Sequence, residues 1–297
     1  MSPRPRFSAP WRCLVAAGAA LAATACTGAS VPTAAALPTH AAAARTGTWS
    51  GQFSGYGSAS WKSAWGVASK GAWGQSELKG ISDSTAPGDG SALQVTYGAG
   101  SSAHSCSNCP NPGGGQFYTQ LDEIGRSDLA RSTTLDLKYS LKLPKGFDFG
   151  KGGKLPGLYG GAIGEESGGN HGKGWSTRFM FRAKSSPDEG EVYLYTPTNS
   201  GPTGYGVDVG LGSWKWRADG DWHTVEQLVD RAGGDVTVWY DGKQVLQAAK
   251  TATGIADIPF GGVFFSTFFG GHDTSWGPKT TERAEFADFS LSATAQH

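Results

Sequence analysis

Methionine is scarce, at 2 of 297 residues, and no long run of Ala, Glu and Leu follows residue 50, which argues against a helical fold. Net charge is absent as well: 25 Lys and Arg balance 25 Asp and Glu, so no global field favours nucleic acid or a membrane surface. An acidic ligand must therefore be held by local cations. Cysteine is limited to 4 residues, of which Cys13 and Cys26 fall in the N-terminal leader, leaving only Cys106 and Cys109. A metal site needs three or four ligands, and no second Cys pair supplies them, so no metal is expected. The pair reads as a short-range disulfide of an oxidising compartment, one that pins a loop. Asp241, Asp273 and Asp288 are available oxygen ligands, but no loop carries an ordered calcium motif.

The N-terminus reads as an export signal. Arg4, Arg6 and Arg12 precede an apolar run from Cys13 to Ala25, too short to span a bilayer and suited to a signal-peptide core. Residues 1–26 are assigned to that signal, and the protein is expected to be secreted. Cys26 follows Ala23-Thr24-Ala25, which resembles a bacterial lipoprotein cleavage box with its Leu displaced to Leu21, so a lipid anchor at Cys26 is an open alternative. Residues 27–48 are Ala-, Thr- and Pro-rich and read as a disordered spacer.

What is present in quantity is glycine, 46 residues, and tryptophan, 11. Many short strands joined by tight turns need that composition. Residues 92–97, 134–141, 175–182 and 191–195 alternate apolar with polar side chains, as half-buried strands do. Further on, 222–229 and 236–240 are followed by Asp241-Gly242 and 244–246, and Asp-Gly between such runs predicts a hairpin. Two last runs, 262–269 and 284–291, close the pattern. With no internal repeat and no linker, residues 49–295 are expected to form one all-β, two-sheet antiparallel sandwich.

Alternation also assigns faces. In 175–182, Trp175, Thr177, Phe179 and Phe181 point one way and Ser176, Arg178, Met180 and Arg182 the other; in 192–195, Val192 and Leu194 oppose Tyr193 and Tyr195. If the two strands pair as a hairpin, Ser176, Arg178, Tyr193 and Tyr195 share one sheet face. Any one of them alone reads as a solvated side chain; four together read as a site. The Gly-rich stretch 151–161 lacks the Gly-x-x-x-x-Gly-Lys-Ser/Thr order of a nucleotide loop, and no helix pattern follows it.

These residues carry a resemblance. Gly152-Gly153-Lys154-Leu155-Pro156-Gly157, then Trp175-Ser176-Thr177-Arg178, then Tyr193-Leu194-Tyr195, then the Phe-rich run into Phe269-Gly270-Gly271, is similar to polysaccharide lyase families 14 and 20, the alginate and glucuronan lyases. The resemblance spans roughly Leu93 to Leu291. It implies a β-jelly roll of the concanavalin and laminin-G-like class, no cofactor, and an acidic polysaccharide as partner. It places catalytic roles on Lys154, Arg178, Tyr193 and Tyr195, and substrate binding on Ser176. Gln116 resembles a cleft Gln of the glucuronan-cleaving relatives. The segment His104 to Pro112, with both cysteines, has no counterpart in the family pattern.

A lyase must remove the C5 proton of a uronate, whose acidity rises once the adjacent carboxylate is neutralised, and must help the C4 oxygen leave. Arg178 suits the carboxylate, Lys154 adds a second charge, and a phenol serves as proton carrier if neighbouring cations lower its pKa, with Tyr195 preferred. Ser176 suits a hydrogen bond better than a nucleophile's role. Two other readings stay open. A glycoside hydrolase would need a carboxylate pair, with Glu165 and Glu166, or Glu282 and Glu285, as nominees; the first pair reads as solvated loop charge, and the second faces opposite ways on a strand. A non-catalytic carbohydrate-binding module is the other, since 222–246 has the look of the laminin-G-like class.

Overall fold

Alternating patterns become strands in this computed structural model, which describes residues 47–167, 173–198 and 205–297. The expected signal segment 1–26, Cys26 and nearly all of the spacer lie outside the described residues. In chain order the strands are β1 (Trp49–Gly51), β2 (Leu78–Ser82), β3 (Ser91–Tyr97), β4 (Gly115–Tyr118), β5 (Thr134–Lys142), β6 (Gly152–Gly161) and β7 (Gly174–Arg182). They continue as β8 (Glu189–Tyr195), β9 (Val207–Lys215), β10 (Trp222–Asp230), β11 (Asp235–Tyr240), β12 (Lys243–Ala248), β13 (Phe260–Phe269) and β14 (Glu282–Ser292). Among the described residues helix is confined to short turns such as Ala59–Ala64 and Ser127–Arg131. Among the described residues no helix is long and apolar enough to cross a membrane.

The strands form two antiparallel sheets. One runs β12-β11-β10-β5-β14-β3-β2, with β1 also on β14; the other runs β4-β13-β6-β7-β8-β9. Asp241 and Gly242 both take positive φ, 51° and 71°, the backbone of a two-residue hairpin whose twist matches its strands β11 and β12. The two closing runs are strands of different sheets, β13 in one and β14 in the other, because residues 270–281 carry the chain between them.

Between the sheets lies an aromatic core. Phe265 stacks on Phe117 at 4.6 Å, Tyr139 on Phe289 at 4.7 Å, and Trp214 and Trp216 pack edge-on against Phe179. Buried hydroxyls that enter this core find partners across it: Tyr139 donates to the Pro156 carbonyl at 3.1 Å, and Tyr97 and Thr267 share a hydrogen bond of 2.6 Å. Tyr139 thus ties the eight-stranded sheet to the site-bearing strand β6.

The Gly-rich stretch is no loop: it is β6, with a bulge between Leu155 and Gly157. Pro156 has no N–H to give the ladder, and the extra residue lets both Leu155 and Leu158 reach the core although their spacing is odd. The same insertion brings Lys154 and Tyr159, also an odd number apart, to the opposite face. Position 157 must be glycine, since a Cβ there would lie 2.3 Å from the Thr177 carbonyl oxygen.

Candidate active site

Strand register assembles the site. On β7 and β8, Ser176 lies opposite Tyr195 and Arg178 opposite Tyr193, while on β6 Lys154 lies opposite Met180. Trp175, Phe179, Val192 and Leu194 face the core between the sheets, so the alternate residues face outward together. That face is not open. Loops wall it into a cleft of about 460 Å³, a size suited to a small-ligand site, and β8 is buried along its whole length. Arg178 keeps only 3 % of its surface exposed and Lys154 9 %.

Both cations are underpaired. Arg178 donates from Nη1 to the Ser266 hydroxyl at 3.1 Å, its guanidinium carbon sits 4.3 Å over the Phe264 ring, and its buried Nε has no partner. Lys154 Nζ rests 4.0 Å over the Tyr193 ring and 3.6 Å from the Met180 sulfur. Neither makes a salt bridge within the described residues. Burial penalises these charges: it lowers Arg178 below the usual arginine value, and it pulls Lys154 well below the usual lysine value, with the Arg178 charge adding to the effect. Arg182, at the edge of the cleft, is by contrast held by Asp208 at 2.9 Å and Glu191 at 3.6 Å.

The phenols divide. The rings of Tyr193 and Tyr195 meet edge to face at 5.3 Å. Cations near Tyr193 do not lower its pKa as the sequence leads one to expect: burial pushes the phenol up, Tyr195 adds to the rise, and the opposing Arg182 charge is smaller. Desolvation wins because the ring is walled in, a property that strand alternation does not encode. Arg178 lies 5.8 Å from the Tyr195 ring.

Other candidates take different places. Ser176 is fully buried and donates its hydroxyl to the Glu166 carbonyl at 2.9 Å, so it braces a loop and does not line the cleft. Gln116 does line it, donating to the Gly71 carbonyl at 2.7 Å and accepting from Ser266 at 2.8 Å. Ser266 therefore links Gln116 to Arg178, a relation that 88 residues of separation hide from the sequence. Glu166 is not solvated charge: it is 1 % exposed, and it accepts from Tyr118 at 2.5 Å and from the Gly164 amide at 2.6 Å. Both its oxygens are spent on the fold. Glu282 and Glu285 lie on β14 in the other sheet, where Glu285 pairs with Lys142 at 2.8 Å. Neither nominated pair thus flanks the cleft as a hydrolase requires. Glu191, which no motif signals, is fully buried beside Arg182, and burial pushes its carboxyl up to about 8.

Cys106 and Cys109 are joined by a disulfide, in the loop that walls one end of the cleft. Among the described residues no cluster of three or more His, Cys, Asp or Glu is arranged to hold a metal.

The sequence model of the family Polysaccharide lyase 14 matches residues 85–289. The chain belongs to polysaccharide lyase family 14. Solved structures agree with that membership. The PL-14 alginate lyase of Aplysia kurodai is 27% identical, with 76% of this chain and 90% of that one covered and a TM-score of 0.61. The alginate lyase Aly36B, as a variant bound to an alginate tetrasaccharide, is 20% identical over 85% of this chain and 99% of that one, with a TM-score of 0.61. The endo-β-1,4-glucuronan lyase of the fungus Trichoderma reesei is 14% identical over 84% and 96%, with a TM-score of 0.52. No curated protein sequence matches the chain. This polysaccharide lyase is a β-jelly roll whose two underpaired, buried cations stand side by side with two phenols on the cleft floor.

Proposed function

We propose that this lyase is exported and cleaves a uronate polysaccharide of the alginate or glucuronan type by β-elimination. The observation that carries the reading is Arg178, a buried guanidinium whose one hydrogen-bonded partner among the described residues is a neutral serine and whose Nε is unspent. A buried cation without a counter-ion is costly, and an arriving carboxylate relieves that cost by pairing with the guanidinium fork. The alginate tetrasaccharide held by the Aly36B variant supports an acidic sugar chain as the ligand. Export is supported by the disulfide, which belongs to oxidising compartments, and by the basic-then-apolar N-terminal pattern.

In the proposed reaction Arg178 pairs with the carboxylate of the sugar under attack, and Tyr195, entering as its phenolate, takes the C5 proton. The electron pair left at C5 delocalises onto the carboxylate beside Arg178, then forms the C4–C5 double bond as the C4–O bond breaks. Tyr193, kept protonated by burial, stands next to Tyr195 to give the leaving oxygen its proton. Lys154 supplies the second positive charge. One observation favours a variant of this scheme: the depressed pKa of Lys154 enlarges its neutral share, and a neutral amine can take the C5 proton itself.

Product chemistry tests the proposal. Incubation with alginate blocks and with glucuronan is expected to release fragments that absorb in the ultraviolet through the new double bond. Reducing ends without that absorbance mean hydrolysis, and no cleavage of either polymer means a binding module; each result overturns the reading.

A further inference from the structure

The loop His104 to Pro112, which the motif resemblance leaves unplaced, forms one end of the cleft, and it holds an imidazole there. His104 stacks on Trp73 with ring centroids 4.8 Å apart and planes 17° apart. Trp73 leans on Phe268 at 5.5 Å, and Phe268 in turn faces Lys154 at 5.8 Å, so the stack is continuous with the site. Trp73 is itself fixed to β4 by paired backbone hydrogen bonds with Gln116, at 3.0 and 3.2 Å. A second imidazole stands nearby: Ser105 is bonded to Nδ1 of His272 at 3.2 Å, leaving Nε2 as that ring's remaining polar atom. Both rings line the same cleft as Lys154 and Arg178.

The loop is anchored on either side of these rings. Ser102 donates to the Gly270 carbonyl at 2.6 Å, Asn111 to the Ala99 carbonyl at 2.7 Å, and the Cys106–Cys109 disulfide closes the turn that follows His104. Beside the Trp73–His104 stack lies a smaller cavity of about 220 Å³, lined by both rings and both cysteines.

Among the described residues the Lys and Arg side chains that line the cleft are Lys154, Arg178 and Arg182, and none of them comes from this loop. A polyuronate carries one carboxylate on every sugar, so the sugar beside the one under attack must meet some other donor. We propose that His104 and His272 form an added sugar subsite that binds the neighbouring uronate of the chain, and that the disulfide loop exists to position it. Imidazole nitrogens suit a carboxylate or a ring hydroxyl, and the Trp73 stack fixes the plane from which His104 presents them. The inference rests on the polyuronate reading above, and adds to it where the chain extends beyond the bond that breaks.

The test uses the full-length enzyme and size-fractionated oligouronates from trimer to octamer, with kcat and KM followed through double-bond absorbance. In the wild type, KM should fall once the chain is long enough to reach the loop. His104→Ala should lose that gain, raising KM for the long fragments about tenfold while kcat changes less than twofold. His104→Phe keeps the stack but removes the nitrogens and should behave like His104→Ala. Cys106→Ser with Cys109→Ser, or the wild type under reductant, should show the same KM effect. A wild-type length dependence in His104→Ala and His104→Phe overturns the subsite and leaves the lyase reading intact. Absence of double-bond product from every polyuronate, with wild-type protein, overturns both.

Discussion

On the eight-stranded sheet, Lys142 of the outer face lies 2.6 Å from Asp83 and 2.8 Å from Glu285, and His223, which shares the core-facing side with Leu141, is held between Asp219 at 3.0 Å and Asp241 at 2.9 Å. On the cleft face of the six-stranded sheet, Lys154 and Arg178 are buried too, yet among the described residues they make no salt bridge. The first arrangement is what a fold needs, charge answered by charge. The second works against the fold, since a buried unpaired cation costs stability. Side chains that cost the fold and gather in one cleft mark the place where a ligand completes the electrostatics.

The contrast breaks most sharply at Arg178. Arg178→Lys keeps a charge but loses the fork, and turnover should fall about 10²- to 10³-fold, with Arg178→Ala lower still. Arg178→Met removes an unpaired buried cation and should raise the melting temperature by about 2–4 °C while leaving only the low residual turnover of Arg178→Ala, as calorimetry and the absorbance assay can show together. Next in size are the phenols. Tyr195→Phe should cost about 10²- to 10⁴-fold in kcat with little effect on polymer binding. A smaller loss than in Tyr193→Phe would exchange the two roles, and activity in both variants would move the base to Lys154.

On the other sheet the effects should be structural. Lys142→Met removes a cation from two carboxylates and should lower stability by about 1 kcal/mol in denaturant titrations, with kcat within about twofold of wild type. Back on the site's own sheet, Glu191 of β8 gives a pH signature. Its folded pKa, raised from 4.5 to about 8, means that the native state binds the extra proton, so its contribution is full below about 4.5 and is lost as pH rises through about 8. Glu191→Gln should therefore melt like the wild type at pH 5 and a few °C higher at pH 9, by roughly 2–4 °C. The smallest effect expected is that of a chelator: with side-chain cations at the carboxylate, treatment should leave kcat and KM unchanged.

Much of this contrast was legible in the chain itself. Alternation in 175–182 and 192–195 separated core from cleft residues, the Asp241-Gly242 turn was readable from φ preferences, and the ordered motifs pointed to Lys154, Arg178, Tyr193 and Tyr195. What stayed hidden depends on distance or burial. The bulge at Pro156, which gives β6 its extra residue, has no signature in alternation, and Ser266 reaches Arg178 only through sheet order. Glu166 reads as loop charge because its partners, Tyr118 and the Gly164 amide, come together only when the loop folds over the sheet edge. Ser176 has the right face and the right neighbours, yet its hydroxyl is taken by the Glu166 carbonyl, a bond between a strand and a loop that spacing does not reveal. Tyr193 shows the same limit for chemistry: nearby cations can be listed from sequence, but the desolvation that outweighs them cannot.

The central claim is that Arg178 acts on the substrate carboxylate, and a cycle that alters both partners tests it most directly. Wild type and Arg178→Met are each assayed on a polyuronate and on its methyl ester, which lacks the charge. Strong coupling is expected: esterification should cost the wild type far more in kcat/KM than it costs the variant, whose missing guanidinium leaves little to lose. Equal losses in the two enzymes would contradict it, and would assign the carboxylate to another group in the cleft.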